Sequence, residues 1–357
     1  MKDDYLWDGS GEPDPEIQKL ETVLRKYRHH RPAPDFEKLP SQVAELRPPV
    51  PRQYLWMNVA AIAAAVVLLA AIWFSFRKSA QQFKIPQPGW DVARLEGSPR
   101  VQSRAIGKEG ASARLLIGQT LETDASSRAS ITIAEIGEVQ VDPGTRLRLI
   151  ETGTAQKRLA LDHGTIHAAI WAPPGEFVVD TPSAVAVDLG CAYTLQVDDS
   201  GAGLLRTTLG WVGFKSNGHE SFIPAGAICA VRPKIGPGTP YYEDASEPLR
   251  SALYKVDFES LSAADRDAQL SIVLEQSRSR DALTLWHLLS RVNGAERARV
   301  YDRLAALLPP PAHVTRAGIL SLDPEMLDLW WNELGLGDAS LWRTWERSWS
   351  QREKSKN

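Results

Sequence analysis

The sequence has few cysteines and almost no net charge. Two cysteines among 357 residues exclude a disulfide-rich miniprotein, and a formal net charge of −3 gives no strong electrostatic attraction to nucleic acid. The chain also lacks a phosphate-binding loop, a Gly-x-Ser-x-Gly elbow, a Cys-x-x-Cys pair and a convincing acid/base pair. We therefore expect no enzymatic activity, no catalytic, cofactor-binding or metal-binding residues, and no direct contact with nucleic acid.

The composition that remains is that of a chain with a substantial buried core. Hydrophobic residues make up 43% and charged residues 24%, and 12 Trp, 8 Tyr and 8 Phe supply large aromatic side chains. These values exclude a disordered or collagen-like chain. The length is sufficient for two or three domains.

One segment is far more apolar than the rest of the chain. Residues 53–76 contain no charged side chain, and roughly 23 helical residues would cover about 34 Å, more than the roughly 30 Å hydrocarbon core of a bilayer. This predicts a single uncleaved transmembrane helix over residues 53–77, rather than a buried helix or a signal peptide. The side chains expected to anchor it in the lipid bilayer are Arg52, Tyr54, Trp56, Trp73, Arg77 and Lys78. Because long C-terminal domains are translocated largely regardless of charge, we expect the N-terminus inside.

The segment before this span, residues 1–52, is predicted to contain one amphipathic helix. Asp14 is a suitable N-cap and Pro15 suits the first turn, and a Pro-rich linker follows over residues 32–51. The apolar face of the helix comprises Ile17, Leu20, Leu24 and Tyr27. Fewer than 20 residues cannot bury that face alone, so it would pack in a dimer, on the membrane surface, or against another protein.

After the span, the apolar period changes to two. Short alternating runs with turn residues between them recur over residues 129–133, 139–141, 147–149, 159–161, 166–170, 177–179, 185–189 and 193–197. This pattern predicts an all-β domain over residues 86–240. The spacing suits a sandwich, a barrel or a rolled, solenoid-like sheet.

From about Pro248 the period is helical again. Leucines and valines recur at helical intervals, and short connections predict an all-α region of antiparallel helices over residues 248–350. Near its end, Trp342, Trp345 and Trp349 fall on one helical face. This face could pack in a core, or it could lie on the bilayer with basic residues around it.

Two weaker patterns resemble binding motifs. His163 and His167 are four residues apart, but Gly164 and the local alternation place them on a turn and a strand, where about 13 Å would separate them. Residues 200–203 read Ser-Gly-Ala-Gly with no following helix, which predicts a tight hairpin rather than a phosphate loop. Neither pattern predicts a ligand site.

Several blocks of the β-region, taken in order, resemble the FecR family of bacterial single-pass membrane regulators. The blocks are Gly118-Gln119-Thr120-Leu121-Glu122-Thr123 with Ala129, Pro143-Gly144-Thr145 with Leu147 and Leu149, Leu159-Ala160-Leu161 with Gly164, residues 177–184, and Val187 and Gly190 with Tyr193 and Val197. Where the family usually has Gly-Thr-x-Phe, this chain has Gly190-Cys191-Ala192-Tyr193. The likeness covers about a quarter of the chain.

The resemblance implies a signalling protein of the inner membrane. Its N-terminal segment would be cytoplasmic and would act as an anti-sigma factor, binding a cytoplasmic protein such as an extracytoplasmic-function sigma factor. Its β-domain would be periplasmic and would sense an envelope protein. The alternative is a tethered envelope scaffold or binding module without cytoplasmic output.

A periplasmic location would also affect the two cysteines. Cys191 and Cys229 both fall in the β-region, and an oxidising compartment would favour a disulfide between them. The alternative is two buried thiols that act as small apolar side chains. We expect the disulfide.

Overall fold

The computed structural model of the protein describes residues 88–107, 111–216 and 219–337, together with Lys19, Val23 and Leu24. The chain divides into two compact units, Met1–Phe83 and Lys84–Asn357. In the first unit, the three described residues are helical and exposed, and they lie within the predicted N-terminal helix.

The second unit begins with 18 strands among its described residues. They are β1 (Gly89–Glu96), β2 (Arg100–Val101), β3 (Arg104–Ala105), β4 (Ser112–Leu116), β5 (Thr120–Glu122), β6 (Arg128–Ile133), β7 (Gly137–Val141), β8 (Arg146–Thr152), β9 (Lys157–Ile170), β10 (Phe177–Asp180), β11 (Val185–Asp188), β12 (Ala192–Val197), β13 (Gly203–Leu209), β14 (Trp211–Ser216), β15 (His219–Pro224), β16 (Ala227–Arg232), β17 (Gly236–Pro237) and β18 (Tyr241–Tyr242). The predicted all-β part of the chain is thereby confirmed.

The strands form two sheets that share β9. The first sheet runs β4-β1-β6-β7-β9-β12-β13-β16, with β17 and β18 on β16. The second runs β3-β2-β5-β8-β9-β10-β11-β14-β15, and its β9–β10 pair is parallel. The first half of β9 belongs to the second sheet and its second half to the first sheet.

Gly164 lies where β9 passes from one sheet to the other. Its φ of +103° is a conformation that L side chains rarely adopt. A Cβ atom at this position would lie 2.3 Å from Oγ1 of Thr145 and 2.4 Å from its Cα, so the strands approach too closely for any side chain. Glycine is therefore required both by the backbone conformation and by the space available.

The two sheets contribute to one hydrophobic core. Side chains such as Ile131 and Leu205 of the first sheet cluster with Leu149, Phe177 and Phe214 of the second. The predicted alternation fits most strands because one face of each sheet is turned to this core. It fits β11 less well, because β11 is buried on both faces.

The two buried faces of β11 contact different clusters. Ala186 belongs to the main core, whereas the neighbouring Val187 packs with Val178 in a small second cluster. A strand covered on both sides loses the polar alternation that marks a half-exposed one. The consecutive apolar residues Val185-Ala186-Val187 therefore report burial on both faces.

Helices follow the strands, as predicted. They are α1 (Glu247–Phe258), α2 (Ala263–Gln276), a 3₁₀ turn (Ser279–Asp281), α3 (Ala282–Leu289), α4 (Gly294–Leu307), α5 (Arg316–Leu320) and α6 (Pro324–Asn332). Side-chain caps begin several of them. The hydroxyl of Ser246 accepts a hydrogen bond from the backbone N–H of Leu249, and Asp323 accepts from Glu325 and Met326.

The helices have their own core but also join that of the sheets. Leu253, Leu288 and Trp330 lie in the helical cluster, while Leu283 and Trp331 belong to the main cluster of the strands. The helices and the strands thus belong to the same compact unit.

Candidate functional site

Most of the predicted partner-binding face of the N-terminal segment lies outside the described residues. This applies to Ile17, Leu20 and Tyr27. Leu24 is described: it is helical, and its side chain is 58% exposed. The role of this face stays a prediction.

The predicted membrane anchors also lie outside the described residues. They are Arg52, Tyr54, Trp56, Trp73, Arg77 and Lys78, together with the whole span of residues 53–77. Within the ranges that the structure describes, no helix has both the length and the apolar character needed to cross a membrane.

The structure contradicts the predicted disulfide between Cys191 and Cys229, because both are buried free thiols. Cys191 precedes β12 and Cys229 lies in β16, with β13 between these strands. The register places Cys229 level with Leu205, and Leu205 level with Leu195. Strand spacing and rise then separate the two cysteines by roughly 16 Å. A disulfide requires Cα atoms within about 7 Å.

Cys191 instead pairs with a buried carboxyl group. Its Sγ donates a hydrogen bond of 2.7 Å to Oδ2 of Asp188, and the backbone N–H of Gly190 donates one of 2.7 Å to Oδ1. Asp188 is the last residue of β11 and only 1% exposed. Burial raises the pKa of Asp188 to about 7, although both hydrogen bonds favour the ionised form.

The third member of this cluster is Tyr193, on β12. Its hydroxyl is buried and has no hydrogen-bond partner among the described residues. Burial first, and then the charges of Asp188 and Cys191, raise its pKa well above the usual value. We call Asp188, Cys191 and Tyr193 the Asp188 cluster.

The chemistry available to the Asp188 cluster is limited to the gain and loss of a proton. Burial and the neighbouring Asp188 raise the pKa of the Cys191 thiol well above its usual value. The thiol therefore stays protonated at neutral pH and is a poor nucleophile. The carboxyl of Asp188 changes charge close to neutral pH.

Asp188 also stands out in the sequence, as a feature that the apolar period alone does not report. Asp188 interrupts the apolar run Val185-Ala186-Val187 and Leu189. A carboxylate within such a run is either at an exposed strand end or buried with partners. Its location beside Cys191 depends on the turn at Gly190, which the sequence alone does not specify.

Cys229 lies at a different place, where the strands meet the helices. Its Sγ donates to the carbonyl of Gly238 at 3.2 Å, and burial raises its pKa to about 12. The hydroxyl of Ser221 donates to the same carbonyl at 2.6 Å. Arg291, in the turn before α4, donates to the Ser221 hydroxyl at 2.7 Å and to the carbonyl of Pro237 at 2.8 Å.

Further buried polar contacts join the helices to the strands. His287 accepts a hydrogen bond of 3.1 Å at Nε2 from the backbone N–H of Phe222, and its Nδ1 lies 2.9 Å from the carbonyl of Leu283. The carbonyl can only accept, so Nδ1 carries the proton. Burial lowers the pKa of His287 to about 3.

A second helix is held in the same way. The carboxylate of Asp257, in α1, accepts from the backbone N–H of Thr239 at 2.7 Å and from its hydroxyl at 2.9 Å. We call His287, Arg291 and Asp257, with their strand partners, the junction.

The two histidines of β9 have separate partners. His167 lies 2.9 Å from Oδ2 of Asp142 through Nε2 and 3.0 Å from the hydroxyl of Thr194 through Nδ1. His163 lies 3.6 Å from Asp199. In the described ranges, no three side chains of the metal-binding types come together as a possible metal site.

The tight hairpin predicted near residues 200–203 is present. The carboxylate of Asp198 accepts from the backbone N–H groups of Ser200 and Ala202 at 2.9 and 3.0 Å. The backbone N–H of Asp198 donates to the carbonyl of Ala202 at 2.8 Å. These bonds close the turn between β12 and β13.

Comparison with known proteins gives two results. Two crystal structures of a candidate anti-sigma factor from Parabacteroides distasonis are 15% identical to this chain, with TM-scores of 0.31 and 0.32. Each comparison covers 38% of this chain and 64% of the other, so the chain spans less than two thirds of those proteins. No curated protein sequence matches the chain.

The second result concerns the strands that carry the Asp188 cluster. The FecR protein family matches residues 119–209, which run from the turn before β5 to the end of β13. The match includes Asp188, Cys191 and Tyr193 and leaves out the helices. The match agrees with a regulatory role. The resemblance found in the sequence is confirmed: residues 119–209 of this chain are similar to the FecR protein family.

Proposed function

We propose that this chain is an inner-membrane regulator whose periplasmic β-part senses an envelope protein and whose cytoplasmic N-terminal segment binds a sigma factor of the extracytoplasmic-function class. The observation that carries the proposal is the FecR match at residues 119–209, downstream of the uncharged residues 53–76. A single crossing between the two would place them on opposite sides of a membrane.

The chemistry of the described residues supports a binding role. Both cysteines are buried thiols with raised pKa, so neither suits a nucleophile. His287, the most deeply buried histidine, is committed to two backbone groups. What remains is a folded unit whose surfaces, and whose buried Asp188 carboxyl with a pKa of about 7, can respond to a partner.

The cytoplasmic output is proposed to pass through the helix that contains Leu24. Its exposed side chain belongs to the apolar face that the sequence predicts, and an uncovered apolar face is a common feature of helices that dock in a groove of a partner. The charge balance of the chain gives no means of binding DNA directly. An effect on transcription would therefore require a protein partner.

The location of the two ends is tested with reporter fusions. We expect alkaline phosphatase to be active when it is fused after Asn357 and inactive when it is fused before Met1, because only the periplasmic side supports its disulfides. The reverse result would contradict the proposed topology. Activity at neither end would contradict the export of the β-part.

The proposed partner face is tested with one charge placed on either side of the helix. In the full chain, Leu24→Glu puts a carboxylate on the predicted apolar face, and Gln18→Glu puts the same charge on the opposite face. We expect a sigma factor to co-purify from membranes with the wild type and with Gln18→Glu, and to be lost with Leu24→Glu. Equal recovery with both variants would contradict this face.

Deletion of residues 2–45 separates the proposal from the tethered scaffold. A regulator that acts through its N-terminal segment should show altered transcription of its target genes after this deletion. Unchanged transcription, with binding of the envelope partner intact, would identify the chain as a tether without cytoplasmic output.

A further inference from the structure

Two large apolar side chains are exposed near strand ends of the first sheet. Trp171 is 69% exposed and Leu209 is 56% exposed. Between them lie Ala169 and Ala192, which face each other across β9 and β12, and Ala192 is in turn level with Leu209. Both alanines are half-buried and place only a methyl group each between the two large side chains. We call these four residues the Trp171–Leu209 surface.

The width of this surface matches a helix. Trp171 and Leu209 are separated by two strand spacings and about two residues of rise, which places their Cα atoms roughly 12 Å apart. A helix with its side chains is about 10–12 Å wide. Exposed carboxylates lie at one side, where Glu138 is level with Ala169 and Glu135 lies just before Ile136.

The last described residue, Gly337, lies beside Trp211, which is close to Leu209 in sequence. A Cβ atom on Gly337 would lie 3.4 Å from the ring of Trp211, and Trp211 is only two residues beyond Leu209. The carbonyl of Gly337 accepts a hydrogen bond of 3.1 Å from the indole of Trp331. Leu336 packs against the main core next to it. The chain therefore leaves its last described position within reach of Leu209.

The segment that follows has a matching pattern. Residues 338–357 lie outside the described residues, and their sequence places Trp342, Trp345 and Trp349 on one helical face. The four residues before Trp342 can span up to about 14 Å. The segment has five basic and three acidic side chains, a charge that is complementary to the carboxylates beside the surface.

We propose that residues 341–350 form a helix whose Trp342–Trp345–Trp349 face covers the Trp171–Leu209 surface of the same chain. The occupant is identified by where the described chain ends, by its reach, and by the match of three aromatic side chains to an exposed apolar surface. An intramolecular cover also forms without the loss of translational freedom that a second molecule would entail.

The test is hydroxyl-radical footprinting of the full chain, read by mass spectrometry at Trp171 and Leu209. Trp345→Glu and, separately, Trp349→Glu place a charge on the proposed contact face, and Thr344→Glu places the same charge off it. We expect labelling of Trp171 and Leu209 to rise about threefold in both Trp variants, because the covered apolar area returns to water. Labelling in Thr344→Glu should equal that of the wild type, and labelling of Tyr254, on α1, should be the same in all four proteins.

Three results would overturn the proposal. One is unchanged labelling of Trp171 in both Trp variants. Another is protection of Trp171 and Leu209 from labelling in the wild type that disappears when the protein is diluted, which would assign the cover to a second copy of the chain. The third is a Trp face that is protected only in phosphatidylethanolamine–phosphatidylglycerol vesicles, with Trp171 labelled equally in every variant, which would assign this face to the bilayer.

Discussion

The carboxyl group of Asp188 ends a strand that is otherwise apolar and buried. Its two hydrogen bonds come from Gly190 and Cys191, which follow it closely in sequence, so the cluster is built by one turn. Burial still dominates, because taking a carboxylate out of water costs more than these two bonds return. The group therefore carries about half a charge near neutral pH.

Replacement of Asp188 by Asn should remove a pH dependence of stability. The ordinary pKa of this carboxyl in water is 3.8, and its pKa in the folded protein is about 7. Its stabilisation is fully present below pH 3.8 and is lost as the pH rises to 7, by up to roughly 1.4 kcal/mol per pH unit. We expect the wild type to lose about 3 kcal/mol relative to Asp188→Asn between about pH 5 and about pH 8. Urea unfolding at both pH values measures the difference.

Asp198→Asn is the matched control for this prediction. Asp198 caps an exposed turn, and the hydroxyl of Ser200 holds the pKa of its carboxyl below the usual value. Loss of the Asp198 carboxylate should leave the pH dependence of stability over the same interval as it is in the wild type. A dependence of equal slope in Asp188→Asn would show that another group is responsible.

At the scale of an element, β9 holds the two sheets in fixed relation. Its first half pairs with β8 and β10, and its second half pairs with β7 and β12. The change of partners occurs at Gly164, where the strand passes over Thr145. The packing of the core depends on this crossing because both sheets take their register from the same strand.

Substitutions at two glycines distinguish the effect of a steric clash on stability from the effect of backbone conformation. Gly164→Ala introduces a Cβ into the Thr145 contact, and we expect it to lower the free energy of unfolding by about 3 kcal/mol. Gly144→Ala is the control, since Gly144 also has a positive φ, +67°, but has no atom within 4 Å of a Cβ. Its cost should be about 1 kcal/mol. Equal costs, measured by urea unfolding, would contradict a steric requirement at Gly164.

At the scale of the whole second unit, the junction makes the strands and helices interdependent. His287 satisfies the backbone N–H of Phe222, and Arg291 satisfies the carbonyl of Pro237. These backbone groups belong to strands, and undocking of the helices would break these hydrogen bonds and expose the core that Leu283 and Trp331 share with the strands. The unit is therefore expected to unfold in one transition.

His287→Ala should destabilise the strands and helices together. It removes the hydrogen bond that the backbone N–H of Phe222 donates to Nε2 of His287 and opens a cavity, at a cost of about 3 kcal/mol. Native-state hydrogen exchange should become faster to the same extent in β15 and in α3. Faster exchange in α3 alone would contradict a single unit. His313→Ala, at an exposed position, should change stability by less than about 0.5 kcal/mol.

The sequence predicted the strands and the helices, because both depend on the local period of apolar residues. The alternation at Ile131 and Ile133 reports a sheet that faces a core on one side, and the helical period after residue 248 reports packed helices. The sequence did not predict the junction, because His287 and Phe222 are 65 residues apart and neither lies in a recognisable sequence motif.

The predicted disulfide shows a second limit. Composition and compartment favoured a bond between the only two cysteines, but pairing depends on strand order, and β13 lies between them. Strand order is set by long-range contacts that spacing along the chain does not encode. The same reason hid the Asp188 cluster, whose burial results from packing on both faces of β11.

The order of strands also determines the smallest piece of this protein that can be expressed on its own. β1 lies before the FecR match, yet it is inserted between β4 and β6. β14 lies after the match, yet it pairs with β11. A fragment trimmed to residues 119–209 would lose interior strands from both sheets and expose unpaired edges that favour aggregation. Useful fragments begin before Gly89 and include the helices.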